Sequence, residues 1–440
     1  MKRTVVALAA TTLAAAASAQ SSVMLFGVVD VGVSNYSTKS EWYNNTANPF
    51  LTPPASGPTT IKLKQTALSQ GALATSRMGF RGTEDLGGGL AASFWLESGI
   101  RPDDGSTGVA QFARRSTLSF SSSSLGELRL GRDYTPSFWN DTVFDPMGGV
   151  GVGISAINQL FQNLYTQRGT TGVLNPLPAV QLGGSDNYIR TSNSVGYFLP
   201  PTLGGIYGQV QYAFHENVEQ NNLPSSSKGR YVGGRLGYAA GPIDVAVAVG
   251  ESTQGDFTGV TGVGIPTGVI FRNKIRNSNI GASYDFGVIK LFGEVSWARD
   301  SRDTNGTLLG LPTIVETKDR YTGGLLGFTV PVGPGLIRAA YSRVKYKADA
   351  APVLSFFGPN DNATTSKLAL SYVHNLSKRT ALYGTVARVR ITNGEINPLV
   401  MGVGTAGTTT ASTFVSTGAG VAGYAPRSAT GYEFGLRHAF

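Results

Sequence analysis

The chain has 440 residues, no cysteine, 58 glycines, 10% aromatic residues and a formal net charge of +9. Without cysteine there is neither a disulfide framework nor a thiolate zinc site. Mean hydropathy is −0.02, and beyond the amino terminus no apolar run reaches the roughly 18 residues a membrane helix needs. Length alone suggests two or three soluble domains, but a closed barrel escapes that limit because it has no central core that must grow with size.

Met1-Lys2-Arg3 and the Ala/Val/Leu-rich Thr4–Ala17 form the n- and h-regions of a signal peptide. Ala17-Ser18-Ala19 is an A-x-A cleavage site, so residues 1–19 are expected to be removed and 20–440 to form one barrel domain. From there hydrophobicity alternates at period two, the spacing of a strand with two different faces. Val23–Tyr36 is the first such segment, followed by an Asn/Thr/Pro-rich connection over about Ser37–Gln70. Arg77–Glu84 turns at Leu86-Gly87-Gly88-Gly89 into Leu90–Gly99, and Phe112–Ser121 turns into Glu127–Gly131. A long connection from Arg132 to about Asp186 leads to Tyr188–Phe198 and Ile206–His215. Arg230–Ala239 with Ile243–Gly250, Arg276–Asp285 with Val288–Ala298, and Asp319–Val330 with Leu336–Tyr346 are further hairpins. Lys367–His374 with Thr380–Arg390 is the last, and the decamer Gly431–Phe440 closes the series. Its residues Tyr432, Phe434, Leu436, His438 and Phe440 share one parity, and about 9–11 residues is the length of a tilted bilayer-crossing strand.

This reading predicts an all-β fold, a 16-stranded antiparallel transmembrane β-barrel with short turns on one rim and long loops on the other. A soluble sandwich can alternate in the same way, but it does not require every tight turn to fall on one side. Arg or Lys facing lipid at mid-bilayer costs roughly 2–4 kcal/mol. The parity of Arg77, Arg190, Arg235 and Lys290 is therefore expected inside, with Met78, Phe80, Ile189, Val195, Leu236 and Tyr238 outside. The inner set is polar and small, which suits a wet channel. The connection 132–186 carries Asp133, Asp141, Asp145 and the aromatics Phe138, Trp139, Phe144 and Phe161. Folded into the barrel, it would bury those aromatics against the wall; the alternative is an outer loop packed on its neighbours. In the first hairpin, positions summing to about 175 face each other, so Arg77 and Glu97 are near cross-strand neighbours.

Three stretches carry a family resemblance: Ser76-Arg77-Met78-Gly79-Phe80-Arg81-Gly82-Thr83-Glu84-Asp85-Leu86-Gly87-Gly88-Gly89-Leu90, Leu96-Glu97-Ser98-Gly99, and Leu125-Gly126-Glu127-Leu128-Arg129-Leu130-Gly131-Arg132. With Arg190–Val195, the opening Ser21–Asp30 and the ending Gly435–Phe440, the mature chain resembles the general trimeric porins of Gram-negative outer membranes, closest to those of the betaproteobacterial branch. The resemblance implies a homotrimer of sixteen-stranded barrels in outer-membrane lipid and lipopolysaccharide. It also implies a third long loop folded inward, wall arginines Arg77, Arg114 and Arg190, and the acid Glu97 beside Arg77. The implied loop acids are Asp141 and Asp145, although Asp145-Pro146-Met147-Gly148-Gly149 departs from the family's Pro-Glu-Phe-Gly-Gly type. Phe440 is implied as a signal read by the outer-membrane assembly machinery. Alternation alone would turn Arg115 inward, since Arg114 shares parity with Leu118 and Phe120; the resemblance selects Arg114, with a bulge to reconcile them.

The expected function is passive diffusion of small hydrophilic solutes. Further pore-lining candidates are Asp30, Arg129, Arg132, Arg235, Lys290 and Arg338. Inward basic residues outnumber inward acids (Asp30, Glu97, Asp244, Glu294), which predicts anion preference. A substrate-specific channel for one anion or sugar would use the same barrel. His215, His374 and His438 are the only histidines, and His215 beside Glu216 at a strand end reads as a rim contact, so no catalytic set, metal site or cofactor is expected. The basic residues are scattered along strands with no nucleic-acid motif.

Overall fold

The computed structural model describes residues 22–42, 60–106, 111–167, 187–217, 227–258, 270–308, 311–347, 363–393 and 424–440. The expected signal peptide and the end of the 132–186 connection lie outside them. The first half contains β1 (Ser22–Trp42), β2 (Thr60–Gln70), β3 (Arg77–Gly87), β4 (Leu90–Gly99), β5 (Arg115–Ser122), β6 (Gly126–Tyr134), β7 (Arg190–Phe198) and β8 (Ile206–Ala213). The second contains β9 (Tyr231–Ala240), β10 (Ile243–Thr258), β11 (Ile270–Asp285), β12 (Lys290–Leu308), β13 (Leu311–Val332), β14 (Gly335–Lys347), β15 (Thr364–Asn375), β16 (Thr380–Thr392) and β17 (Tyr424–Ala439). Two short helices, α1 (Pro136–Val143) and α2 (Ala156–Gln167), lie between β6 and β7.

Every strand pair among the described residues is antiparallel, and the ring closes where Val28 of β1 meets Ala439 of β17. Closure leaves no open edge at the chain's last strand. The seventeen strands make sixteen staves, because β1 pairs with β3 over Ser22–Val28 and with β2 over Val31–Glu41. Between β2 and β3 the chain leaves the ladder at Gly71, whose φ of +74° is open to glycine at little cost. The Asp30 carboxylate holds the break, accepting bonds from Leu73 N (2.8 Å) and Ala74 N (2.7 Å). The expected loop over 37–70 is therefore corrected. β1 continues to Trp42 and β2 starts at Thr60, because polar residues such as Ser34, Thr38 and Ser40 are suited to an inner face. Similarly, β12 and β13 run to Leu308 and from Leu311, well past the alternating apolar cores that mark them in sequence.

The two faces separate as lipid and lumen demand. Leu118, Phe120, Leu128, Leu236, Leu326, Leu368 and Phe434 are exposed on the outside. Thr117, Ser119, Gln209, Gln211, Asn277 and Asn279 face in. Tight turns such as Gly87-Gly88-Gly89, each glycine at positive φ, lie at one rim, the arrangement of periplasmic turns in such barrels. No helix among the described residues is long and apolar enough to cross a membrane; crossing falls to the strands.

Candidate pore constriction

The connection after β6 folds into the barrel. Thr135 caps α1 through Oγ1 to Phe138 N (3.3 Å), and Pro136 sits where its missing N–H costs nothing. Phe144 and Phe161 are buried, Phe138 nearly so, and Trp139 half-buried. Phe138 and Phe161 pack on Tyr188 at 5.3 Å centroid separation.

The wall accepts this loop through glycines. A Cβ added at Gly281 would overlap the Phe144 ring, at Gly327 the Pro146 ring, at Gly323 the Ile157 side chain, and at Gly431 Val152. All four glycines share the inner parity, so they form a row of sockets. Polar bonds complete the seat. Asn140 Nδ2 donates to Asn279 Oδ1 (2.8 Å), Ser342 Oγ accepts from Ala156 N (2.9 Å), and Glu433 Oε2 accepts from Val152 N (2.7 Å).

Asp141 and Asp145, expected to face the passage, are instead sealed between loop and wall, at 0% and 3% exposure. Asp141 accepts from Tyr188 Oη (2.8 Å) and Asn279 Nδ2 (2.5 Å) and is bonded to the Glu294 carboxyl. Burial pushes its carboxyl above the ordinary range, and these bonds only partly offset that. Asp145 staples the loop to itself through Met147 N (2.9 Å) and Ser155 N (3.2 Å); burial raises its carboxyl too. Polar bonds of this kind are what allow a carboxyl to be buried at all. Between Thr135 and Gln167 these are the only charged residues, so this stretch of the loop presents no exposed charge to the lumen.

The facing wall is basic. Gly79 is opposite Glu97, which puts Arg77 and Glu97 on a diagonal of the inner face with Nε 3.8 Å from Oε1. Arg114 is closer, its Nε 2.5 Å from the same oxygen. Its Nη2 also donates to Tyr134 Oη (3.2 Å), as Arg190 Nη2 does (2.9 Å). Tyr134 thus joins two of the three wall arginines, and Glu97 joins Arg114 to Arg77. The Arg114–Arg115 alternative dissolves. Arg115 lies inward with Thr117 and over the Trp95 ring at 4.6 Å, while Arg114 precedes β5 and is not bound by its alternation.

The further candidates divide. Arg129 faces in, bonded to Glu127 (2.8 Å) and Asp133 (2.5 Å). Arg235 grips Asn140 Oδ1 (2.8 Å) and Tyr207 Oη (3.1 Å), anchoring α1. Arg338 reaches Ser371 Oγ (3.1 Å), and Lys290 lies over Phe292 beside a short turn. Two are corrected. Asp30 is fully buried beneath 71–76 and bonded to Tyr383 Oη (2.6 Å), so it braces the wall and does not line water. Arg132 shares the parity of exposed Leu128 and Leu130 and binds the Ala113 carbonyl (2.6 Å) and Ser192 Oγ (2.8 Å) at a ladder irregularity. Sequence reasoning missed Tyr134, Arg437 opposite Asp30 in the seam, and the socket glycines. The signal for the sockets was present as glycines recurring on the inner parity of β11, β13 and β17.

A sequence profile described as Gram-negative porin matches residues 4–394. The chain belongs to the Gram-negative porin family. Over 441 residues it is 34% identical to outer membrane porin protein 32 of Delftia acidovorans, covering 100% of both chains. It is 27% identical to an outer membrane porin protein of Bordetella pertussis, over 87% of this chain and 93% of that one. The solved anion-selective porin from Comamonas acidovorans superposes with a TM-score of 0.64 at 30% identity, covering 96% of this chain and 100% of that chain. This porin is therefore an outer-membrane protein, and its barrel is a passive channel.

Proposed function

We propose that this porin passes small hydrophilic solutes with a preference for anions, and that Arg77, Arg114 and Arg190 set that preference at the narrowest passage. The observation that carries the reading is the asymmetry of the lumen: clustered guanidinium groups on the wall face a loop whose described stretch, Thr135 to Gln167, has both of its carboxylates buried. The similar Comamonas porin is itself described as anion-selective. A charge pair at 4 Å in water is worth only about 1 kcal/mol, so the arginines bias traffic without trapping an ion. Glu97 holds Arg77 and Arg114 in place and lowers their net field. Arg129, Arg235, Lys290, Arg338 and Arg437 extend the positive lining.

The protein is no enzyme in this reading, and its site chemistry needs no cofactor. It works as a homotrimer, is exported through a cleaved signal peptide of residues 1–19, and offers Phe440 to the assembly machinery. The Phe440 ring covers Gly27 on the outer face, and its backbone closes the seam with two bonds of 3.1 Å. Single-channel recording tests the passive reading. Conductance should rise in near proportion to KCl concentration at high salt; saturation by one anion or sugar would replace it with a substrate-specific channel.

A further inference from the structure

Between the constriction and the short-turn rim, the inner wall carries an apolar platform capped by a cation. Phe26 of β1 lies opposite Gly79 of β3, and its ring leans over that glycine, where an added Cβ would come within 2.7 Å of Phe26 Cζ. The ring thereby reaches Trp95 of β4, with centroids 4.9 Å apart and planes tilted by 60°. Trp95 shares the inward parity of Glu97 and donates from Nε1 to its Oε2 (3.1 Å). Arg81 is directly opposite both Met24 and Trp95. Its guanidinium carbon stands 5.4 Å from the centroid of the Phe26 ring and 5.0 Å from that of Trp95.

Both halves of this platform are left open to the lumen. Phe26 and Trp95 are half-buried and Met24 is 51% exposed; apolar surface held in a wet passage is covered favourably when an apolar partner arrives. Arg81 is exposed and, among the described residues, has no carboxylate partner. Its Nη2 donates to Met24 Sδ (3.3 Å), a weak acceptor, which leaves most of the five guanidinium N–H donors for a stronger one. The other stacked arginines are engaged. Arg115, also over Trp95, lies 3.8 Å from Asp133; Arg129, over Phe198, bonds Asp133 and Glu127; Arg235, over Tyr207, bonds Asn140. Nearby acids are taken as well: Glu97 by Arg114 and Arg77, and Asp85 by Gly87 N (2.9 Å).

We infer that this platform is a resting site for small aromatic carboxylates crossing the channel, with the ring against Phe26 and Trp95 and the carboxylate on the N–H edge of Arg81. The pairing of rings with an unmatched cation selects that class. Chloride would meet the cation and leave the rings uncovered, and a neutral sugar would leave the charge unmet. An alkyl carboxylate lacks the flat π face that stacks on aromatic rings and guanidinium planes. Arg81 stands four residues from Arg77 along β3, about 13 Å. That exceeds the screening length of about 8 Å at physiological salt, so the platform acts apart from the constriction arginines. The inference rests on the anion-passing reading of the channel and names a substrate class for it.

The test is titration of benzoate into purified porin in a planar bilayer at low KCl concentration, reading the concentration that half-blocks the chloride current. Cyclohexanecarboxylate, of equal charge and similar size, and acetate serve as comparisons. Wild type should be half-blocked by benzoate at a concentration at least about threefold lower than by cyclohexanecarboxylate, with acetate weaker still. R81Q should raise the benzoate value at least about threefold, and F26L/W95L should bring benzoate level with cyclohexanecarboxylate. Should that double variant not assemble, F26L alone must narrow the gap. Equal block by the two ring acids in wild type, or a wild-type response in R81Q or in the aromatic variants, would overturn the inference. The zero-current potential of the same channels under a KCl gradient tells the two failures apart. Anion preference without benzoate discrimination overturns the platform alone; potassium preference overturns the reading on which it rests.

Discussion

At the scale of single residues, the wall arginines are held by shared partners. Glu97 is shared between Arg114 at 2.5 Å and Arg77 at 3.8 Å, and Tyr134 is shared between Arg114 and Arg190. A guanidinium about 7 Å from a passing ion contributes about 0.6 kcal/mol in water, close to a threefold change in local anion concentration. Arg77→Ala with Arg190→Ala should therefore lower the anion-to-cation permeability ratio by about threefold or more at 0.1 M KCl, with a smaller effect at 1 M. Reversal potentials of the double variant check this, and an unchanged ratio would move the filter elsewhere. The Arg77–Glu97 contact was legible because hairpin arithmetic from one glycine turn fixes the register. Tyr134 was not, since an aromatic at a strand end reads equally as packing. Arg132 misled because its charge suggested the lumen, whereas unbroken β5–β6 register keeps it on the face of exposed Leu128 and Leu130.

At the scale of elements, the inward loop is a fitted part. Its aromatic content signalled a buried seat in the sequence, but its acids suggested water. In the folded chain the acids are sealed into the seat, where hydrogen bonds to Asn279, Tyr188 and backbone N–H groups partly compensate their burial. Gly281→Leu would drive a side chain into the Phe144 ring. The expected outcome is a loop displaced from the wall and a larger single-channel conductance, with the barrel still resisting SDS before heating. Unchanged conductance would show that the socket does not position the loop. A second outcome follows from protonation. The folded-state Asp141 carboxyl titrates above its unfolded value. Its contribution to seating is thus fully present below the ordinary carboxylate range and is lost as pH rises through the raised value. Channel noise or conductance should grow with pH over that interval in wild type and lose the dependence in Asp141→Asn.

At the scale of the whole molecule, sixteen staves close into a cylinder whose outside is apolar and whose lumen is hydrophilic. Strand number, hairpin pairing and the facing of Leu236, Phe80 and Arg77 were legible, because lipid on one side and water on the other impose period two. The polar stretch 37–70 was not, since Ser, Thr and Lys at alternate positions resemble a loop when one face of the strand is already wet. The channel's sign of selectivity is the sum over this lumen, in which basic side chains reach toward the passage while Asp30, Asp141, Asp145, Glu294 and Glu433 are buried. The zero-current potential of the purified porin in a planar bilayer under a KCl gradient reads that sum directly. The account predicts a potential of the sign set by chloride permeating faster than potassium; a potassium-selective sign, or no ionic current at all, would contradict it.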